Sequence, residues 1–413
     1  MNDLSDSPIT YGQLIVLGFN GRIPFETGDA RLASKFLVRQ RESGNAQKPC
    51  KQYSYKSVRQ SVDYISQDIH SVCYTVSENE NLVVTYEALP NVDMFQIGRS
   101  SDINDYVVMD VVPNAQKATD CMLPKSTISR FACRIYVDRS PPYTARIYAA
   151  GFDKSKNICL GSKAIKWCKE DVGMMDGLTT NGVLILHPLS GQHGVVDRGP
   201  GLWREVSITG DIYALRRARS DRGAGKKVAN ESNVLVDGTL IDLCGAILLW
   251  RSREGIANMP SLRDIEDMRQ KLNATKPQCP VGLTTLEFPS NPTKQSNRTR
   301  SKTPHVYVKC GHVHGFHTWN SSMFEGEERT CPMCRQVGPY TKLQLGVEAA
   351  LWADCRPEYY AFVPCGHMCS EATVRFWSQV PLPHGCHAFR AACPFCGTPL
   401  QDDVDGFVRL IFS

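Results

Sequence analysis

The sequence predicts a mainly β protein in two parts: a β-sandwich carrying inserts, then a small zinc-bound α+β module. Three observations predict it. Short runs rich in Val, Ile, Tyr and Phe, separated by Gly, Asn, Asp or Pro, recur from Tyr11 to Trp250, which favours antiparallel strands over alternating helix and strand. Nine of the 17 Cys and seven of the ten His fall after residue 303, and that asymmetry marks a metal module and not a disulfide framework. Between the two parts, the stretch from Pro289 to Pro304 contains NPTKQSNRTRSKT, polar and basic with no large apolar residue, as a mobile linker should be.

The elements follow in order. YGQLIVLGF, Tyr11 to Phe19, is an early strand, and Asn20-Gly21 signals a turn into a hairpin. Residues 29 to 60 are rich in Lys, Arg and Gln; a strand at Lys35 to Val38 and then a solvated loop are expected. SVCYTV and NLVVTY flank the polar SENEN and make a hairpin between Ser71 and Tyr86. MFQIG, DYVVMD, FACRIYV, TARIYAA, NICLG, GVLILHP, LWREVSI, DIYALR and GAILLW continue the strands, with longer inserts near 29 to 60, 110 to 125 and 187 to 232. No helix is expected before residue 260. From Ser261 to Ala274, Leu262, Ile265, Met268 and Leu272 recur at three- and four-residue steps, one apolar stripe of a helix. Ser261 with Asp264 is its N-terminal cap. The expected division is a β domain over 1–255, helix and linker over 256–303, and a metal module over 304–413.

Composition removes several classes of function. A net charge of +5 over 413 residues is mild, and no block of Lys and Arg suggests a nucleic-acid groove. Met1 to Thr10 lacks the basic start and apolar core of a signal peptide. The longest apolar run, Gly245 to Trp250, is too short to span a bilayer, so no membrane insertion is expected. A reducing compartment is expected, the cytoplasm with the nucleus as a second location, where thiolates stay available for metal.

The chemistry lies in a repeat. Cys310-Gly311-His312 is followed by Cys331-Pro332-Met333-Cys334, and Cys365-Gly366-His367 by Cys393-Pro394-Phe395-Cys396. Zinc takes four soft or borderline ligands at tetrahedral corners, and two such pairs complete one site, so eight ligands predict two structural Zn2+ ions. Buried thiols packing as small hydrophobes leave the two His unexplained. A zinc deaminase needs His-x-Glu, whereas His367 is followed by Met368, Cys369 and Ser370. A thioredoxin-like dithiol is one exposed pair beside a βαβ unit, not four interleaved pairs. Four protein ligands leave no position for water, which makes the sites structural, not catalytic. Spacing does not decide which pairs share a zinc, and Cys369, His314, His317, Cys355 and Cys386 lie near enough to substitute.

Three polar clusters interrupt the strands of the β domain: Gly98-Arg99-Ser100-Ser101, Ser126-Thr127-Ile128-Ser129-Arg130 and Thr179-Thr180-Asn181-Gly182. A sandwich gathers its loops at one end. Arg99 is a forked cation for phosphate, Ser129 and Thr180 are hydroxyl donors, and Asn181 is an amide able to hold the backbone of a bound peptide. Singly, each cluster is an ordinary turn; the order across the strands lifts the reading.

That order resembles the forkhead-associated domain, a β-sandwich that binds phosphothreonine peptides. Together with the Cys-His repeat, the chain resembles the Pellino family of RING-type ubiquitin ligases over nearly its full length, through MFQIGRSS, STISRFACRI, GFDKSKNICLG, DGLTTNGVLILHP, GTLIDLCGA, CPVGL, CGHVHG, CPMC, VGPY, PCGHMCSE, PLPHG and CPFC. One departure concerns a His usually found three residues after the central Ser, where this chain has Ala132. The resemblance implies a forkhead-associated-type sandwich with an inserted appendage, then a RING-like domain cross-braced by zinc, alternate pairs sharing one ion; Cys310 and His312 then join Cys365 and His367 or either Cys-x-x-Cys turn. It also implies phosphopeptide roles for Arg99, Ser129, Thr180 and Asn181. The implied partners are a ubiquitin-conjugating enzyme, ubiquitin, and phosphorylated kinases of Toll and interleukin-1 receptor signalling, with no catalytic nucleophile in this chain. A zinc-bearing phospho-dependent scaffold without ligase activity is the alternative from another class.

Overall fold

In the computed structural model, residues 8–18, 20–22, 31–32, 34–56, 68–110, 126–188, 201–219, 221–259, 261–289, 302–317, 328–346, 359–380, 391–401 and 405–412 are described. They fall into two compact units, one ending at Ala257 and one starting at Asn258. The linker expected at 289–304 and the insert at 110–125 lie almost wholly outside the described residues.

The first unit is built on strands, as their residues dictate. A seven-stranded antiparallel sheet runs Ile212–Ala214, Arg204–Val206, Leu184–Leu186, Leu240–Asp242, Ile247–Ser252, Thr10–Val16 and Lys35–Arg39. A second sheet runs Ala145–Ala149, Cys133–Asp138, Val92–Gly98 and Tyr106–Val107, and a third runs Asn157–Leu160, Ser71–Ser77, Glu80–Leu89 and Ala46–Tyr55. The third sheet draws on two segments that interrupt the others in sequence, which fits the expected appendage. One core joins all three sheets, with Leu14, Val38, Val72, Tyr74, Ile97, Ile135, Ile147, Ile185 and Leu248 fully buried.

Three expectations need correction here. Asn20-Gly21, expected as a hairpin turn, lies in the strand Asn20–Arg22, which pairs with Arg31–Leu32, while Thr10–Val16 pairs with Ile247–Ser252 and Lys35–Arg39. Residues 46–55, expected as solvated loop, form a ten-residue strand whose register shifts between Pro49 and Lys51. It lies at the edge of its sheet, where a Pro costs no ladder bond, and its outer face is polar, so neither cue of a buried strand is present. Arg253–Ala257 is a short helix before residue 260; five residues are too few to show a period. The hairpin at Ser71 to Tyr86 is present, Val72 opposite Val84 and Tyr74 opposite Leu82.

In the second unit the expected helix is Leu262–Ala274, capped by a reciprocal pair in which Asp264 N donates to Ser261 Oγ at 3.2 Å and Ser261 N donates to Asp264 Oδ2 at 2.7 Å, and a second helix spans Glu371–Gln379. Its Leu272 joins Cys279, Leu286, Phe288, Val306, Val313, Leu343, Ala361 and Met368 in one core. Two hairpins repeat one design: Pro304–Tyr307 pairs with Val313–Gly315, and Tyr359–Phe362 pairs with His367–Ser370. A Cys-Gly-His turn sits at the tip of each. No helix among the described residues is long and apolar enough to cross a membrane.

Candidate metal centres and phosphopeptide loops

Each Cys-Gly-His turn is shaped by its glycine. Gly311 and Gly366 take φ of 76° and 75°, left-handed values that a side chain disfavours. A Cβ on Gly311 would meet Arg409 O at 2.0 Å, and one on Gly366 would meet Lys342 O at 2.1 Å. The backbone therefore turns tightly beneath the Cys and His.

The Cys-Pro-x-Cys turns share a second geometry. Cys331 N donates to Gln336 O and Arg335 N to Cys331 O, both at 2.8 Å; Cys393 N donates to Thr398 O at 2.9 Å and Gly397 N to Cys393 O at 2.8 Å. Both backbone groups of the first Cys of each turn are thus tied back to the residues that follow. A third copy of this turn, not singled out by the spacing of Cys residues, is Cys279-Pro280-Val281-Gly282: Cys279 N donates to Thr284 O at 2.8 Å and Leu283 N to Cys279 O at 2.9 Å. Gly282 stands where the second Cys would be, so this turn keeps the fold without the ligands. The recurring Cys-Pro was the available signal.

The structure gathers the eight Cys and His residues into two clusters, Cys310, His312, Cys331 and Cys334, and Cys365, His367, Cys393 and Cys396, with the ligand atoms of each cluster within 4.8 Å of one another. A tetrahedral site with bonds of about 2.0–2.3 Å separates its ligands by roughly 3.3–3.8 Å. His367 Nδ1 lies 3.4 Å from Cys365 Sγ and 3.8 Å from Cys393 Sγ, in that range. His312 Nδ1 is buried with no hydrogen-bond partner among the described residues, a costly state unless a cation meets it. Burial pushes the Cys310 thiol up to about 12 and the Cys393 thiol well above its usual range, while hydrogen bonds from Cys365 and Cys393 hold Cys396 down. Without a cation the thiols compete for protons; a divalent ion removes that conflict, and three sulfurs with one imidazole suit it.

This grouping corrects the cross-brace. Each Cys-Gly-His joins the next Cys-Pro-x-Cys turn, not the alternate one. The reason is strand pairing. Tyr340–Lys342 pairs with Pro304–Tyr307, and Val308 N donates to Pro339 O at 2.9 Å, which brings the turn at 331–334 beside Cys310. In the second half Val363 N donates to Gly406 O at 3.0 Å and Gln401 N to Val363 O at 3.2 Å, which does the same for 393–396. The crossing is instead made by backbone: Gln344 N donates to Gly366 O at 2.9 Å and Ile411 N to Gly311 O at 2.8 Å, so the chain leaving each cluster pairs with the glycine turn of the other.

Of the substitutes, His314 is buried with Nε2 3.9 Å from Cys331 Sγ, yet lies outside the four-ligand group. His317 is hydrogen-bonded to Tyr307 Oη at 3.0 Å, Cys369 is buried apart from the cluster, and Cys355 and Cys386 lie outside the described residues.

In the first unit the three polar loops meet. Arg99 N donates to Ser129 O at 3.1 Å and Ser100 N to Arg130 O at 3.2 Å. Asn181 Nδ2 donates to Thr127 O at 2.8 Å and Ser129 Oγ at 3.2 Å, binding the third loop to the second. Arg99 and Thr180 are exposed, Ser129 and Asn181 half-buried. The Arg99 guanidinium has no ion pair or hydrogen bond among the described residues, and as Arg99 is exposed its fork of donors is open to solvent. Ala132 is 4 % exposed with its N–H on Ile97 O at 2.8 Å. The loop is held without a His there.

Support for these loops was not legible in the sequence. Asn104 Nδ2 donates to both Ser100 O and Arg130 O at 2.7 Å. Beneath Thr179–Gly182 lie two buried ion pairs, Arg216 with Glu205 and Arg219 with Asp242; Arg216 also donates to Thr179 O at 3.2 Å and Arg219 to Asn181 O. Nothing in the spacing of these charges announces that they meet.

The chain matches the profile described as Pellino, FHA domain, over residues 2–268 and that described as Pellino, RING domain, over residues 272–413. It belongs to the Pellino family. Among its relatives, human E3 ubiquitin-protein ligase pellino homolog 2 is 50 % identical over 98 % of this chain and 96 % of its own length. Mouse E3 ubiquitin-protein ligase pellino homolog 3 is 51 % identical, covering 99 % and 91 %, and Protein pellino of Drosophila melanogaster is 47 % identical, covering 100 % and 95 %. For a Pellino chain the two halves are thus a forkhead-associated-like domain with its loop cluster and a RING-like domain with two Cys/His clusters.

Proposed function

We propose that this chain is a RING-type ubiquitin ligase whose forkhead-associated-like domain recruits phosphothreonine-bearing kinases of Toll and interleukin-1 receptor signalling in the cytoplasm. The observation that carries the reading is the pairing, in one chain, of three tethered loops, one bearing a guanidinium with no partner among the described residues, with two complete Cys₃His clusters. Zn2+ is the ion that donor set suits best, held by Cys310, His312, Cys331 and Cys334 and by Cys365, His367, Cys393 and Cys396. With all four positions taken by protein, the ion supplies rigidity, and activity is positioning: the braced surface holds a ubiquitin-conjugating enzyme while a substrate amine attacks its thioester. Arg99 contacts phosphate, Ser129 and Thr180 add hydroxyl donors, and Asn181 holds the peptide backbone. The work divides between residues 1–255 and 304–413, with the helix Leu262–Ala274 contributing Leu272 to the core of the second unit.

The test is ubiquitin transfer with purified components, comparing the natural chain with Cys331→Ala/Cys334→Ala. Loss of transfer with phosphothreonine-peptide binding retained is expected. Transfer at the natural rate in that variant means the clusters are misassigned, and phosphopeptide binding by a natural chain that never transfers ubiquitin favours the scaffold.

A further inference from the structure

We infer that Cys73 and Cys159 form a reversible disulfide across two neighbouring strands of the first unit, a redox modification site separate from both metal clusters. Cys159 in Asn157–Leu160 stands directly opposite Cys73 in Ser71–Ser77, in a parallel pair. Neighbouring strands lie about 4.7–4.9 Å apart, inside the usual Cα separation of about 4.4–6.8 Å for a disulfide. Directly registered residues also point to the same face. That face is the outer one, since Val72, Tyr74, Ile158 and Leu160 on the other side are all buried, while Cys159 is exposed and Cys73 partly so.

The two thiols already act on each other. Their mutual hydrogen bond is the leading cause that raises Cys73 and lowers Cys159 from their ordinary values. The more exposed sulfur is therefore the one favoured as thiolate, which is the arrangement an attacking and a resolving cysteine require. Cys133 and Cys244 are buried, and neither has a cysteine opposite it in the strand pairing.

The oxidant is a peroxide. The Cys159 thiolate attacks one peroxide oxygen, the O–O bond breaks, and hydroxide leaves to become water, giving a sulfenic acid. The Cys73 sulfur attacks that sulfenic sulfur; the S–S bond forms, the S–O bond breaks, and the Cys73 proton leaves with the hydroxide as a second water. Two thiols lose two electrons and one peroxide gains them. A dithiol reductant reverses the product by exchange.

The bond ties an edge strand that runs out of the turn at Asp153 to Lys156, and Lys154 of that turn pairs with Asp102 at 3.3 Å, three residues past Arg99. The experiment titrates the full-length, metal-loaded chain with hydrogen peroxide, digests it without reduction, and follows the peptides by mass spectrometry. A Cys73–Cys159 linked peptide is expected at peroxide levels that leave both metal clusters reduced, disappearing with dithiothreitol and absent in Cys73→Ser and in Cys159→Ser. Cys159→Ser should leave Cys73 unmodified, whereas Cys73→Ser should let Cys159 accumulate as a sulfenic acid trapped by dimedone. Absence of the linked peptide until the cluster cysteines are oxidised, or oxidation of Cys159 beyond sulfenic acid with Cys73 still a thiol, would overturn the proposal.

Discussion

At the scale of single residues, the proposed phosphate contact rests on Arg99, whose loop the neighbouring backbone tethers. Hydrogen bonds to charged groups contribute about 1.5–3 kcal/mol each, so Arg99→Ala should weaken phosphothreonine-peptide binding on the order of 10- to 100-fold. Calorimetry with matched phosphorylated and unmodified peptides checks this; equal affinity for both by the natural chain removes the phosphate role. A second residue reports on acid stability. His305 is 8 % exposed, and burial holds it down to about 4. A His that binds its proton more weakly when folded contributes fully above its unfolded value of about 6.5, and the contribution is lost as pH falls from there towards the folded value. The loss approaches about 3 kcal/mol at the acid end of that window. His305→Phe should flatten the acid slope of urea midpoints measured at one fixed zinc concentration; an unchanged slope excludes His305 as its source.

At the scale of elements, the helix Leu262–Ala274 and its cap were readable because both are local: a stripe at three- and four-residue steps, and a Ser followed three residues later by Asp. Ser261→Ala removes the side-chain acceptor and should cost about 0.5–2 kcal/mol, seen as a lower unfolding midpoint of the second unit with phosphopeptide affinity unchanged. The strand Ala46–Tyr55 was not readable, because an edge strand with a bulge and an internal Pro shows no alternation of buried side chains. Nor was Leu240–Asp242, three residues long, although it sits at the centre of the seven-stranded sheet and all three side chains are buried. Very short central strands are fixed by their neighbours and not by their own pattern.

For the whole molecule, metal at the two Cys/His clusters is expected to decide whether the second unit stays folded. A structural zinc contributes on the order of 10–16 kcal/mol in small fingers, against about 5–15 kcal/mol of stability for a typical domain. Chelation should therefore unfold the region after Asn258 while the strands of the first unit, with their own core, remain folded. Loss of near-ultraviolet dichroism from the aromatic residues around Tyr307 and Tyr340, with phosphopeptide binding retained, is the expected result. A chelated chain that keeps the second unit folded and shows no bound metal contradicts the structural role of both clusters.

The sequence by itself determined the class of fold, the candidate ligands and the three polar loops, because each is written in residue types at fixed local spacing: Cys-Gly-His, Cys-Pro-x-Cys, Gly-Arg-Ser, Asn-Gly. It did not determine which ligands share an ion. Every pairing of the four turns supplies four Cys or His donors to each ion, and the choice fell to strands at 304–307 and 340–342, and at 359–362 and 407–409, whose pairing is a property of the folded core. The same holds for Arg216, Arg219, Glu205 and Asp242, charges distant in sequence that only the assembled sheet brings beneath one loop. Local spacing encodes chemistry; long-range backbone pairing decides where that chemistry meets.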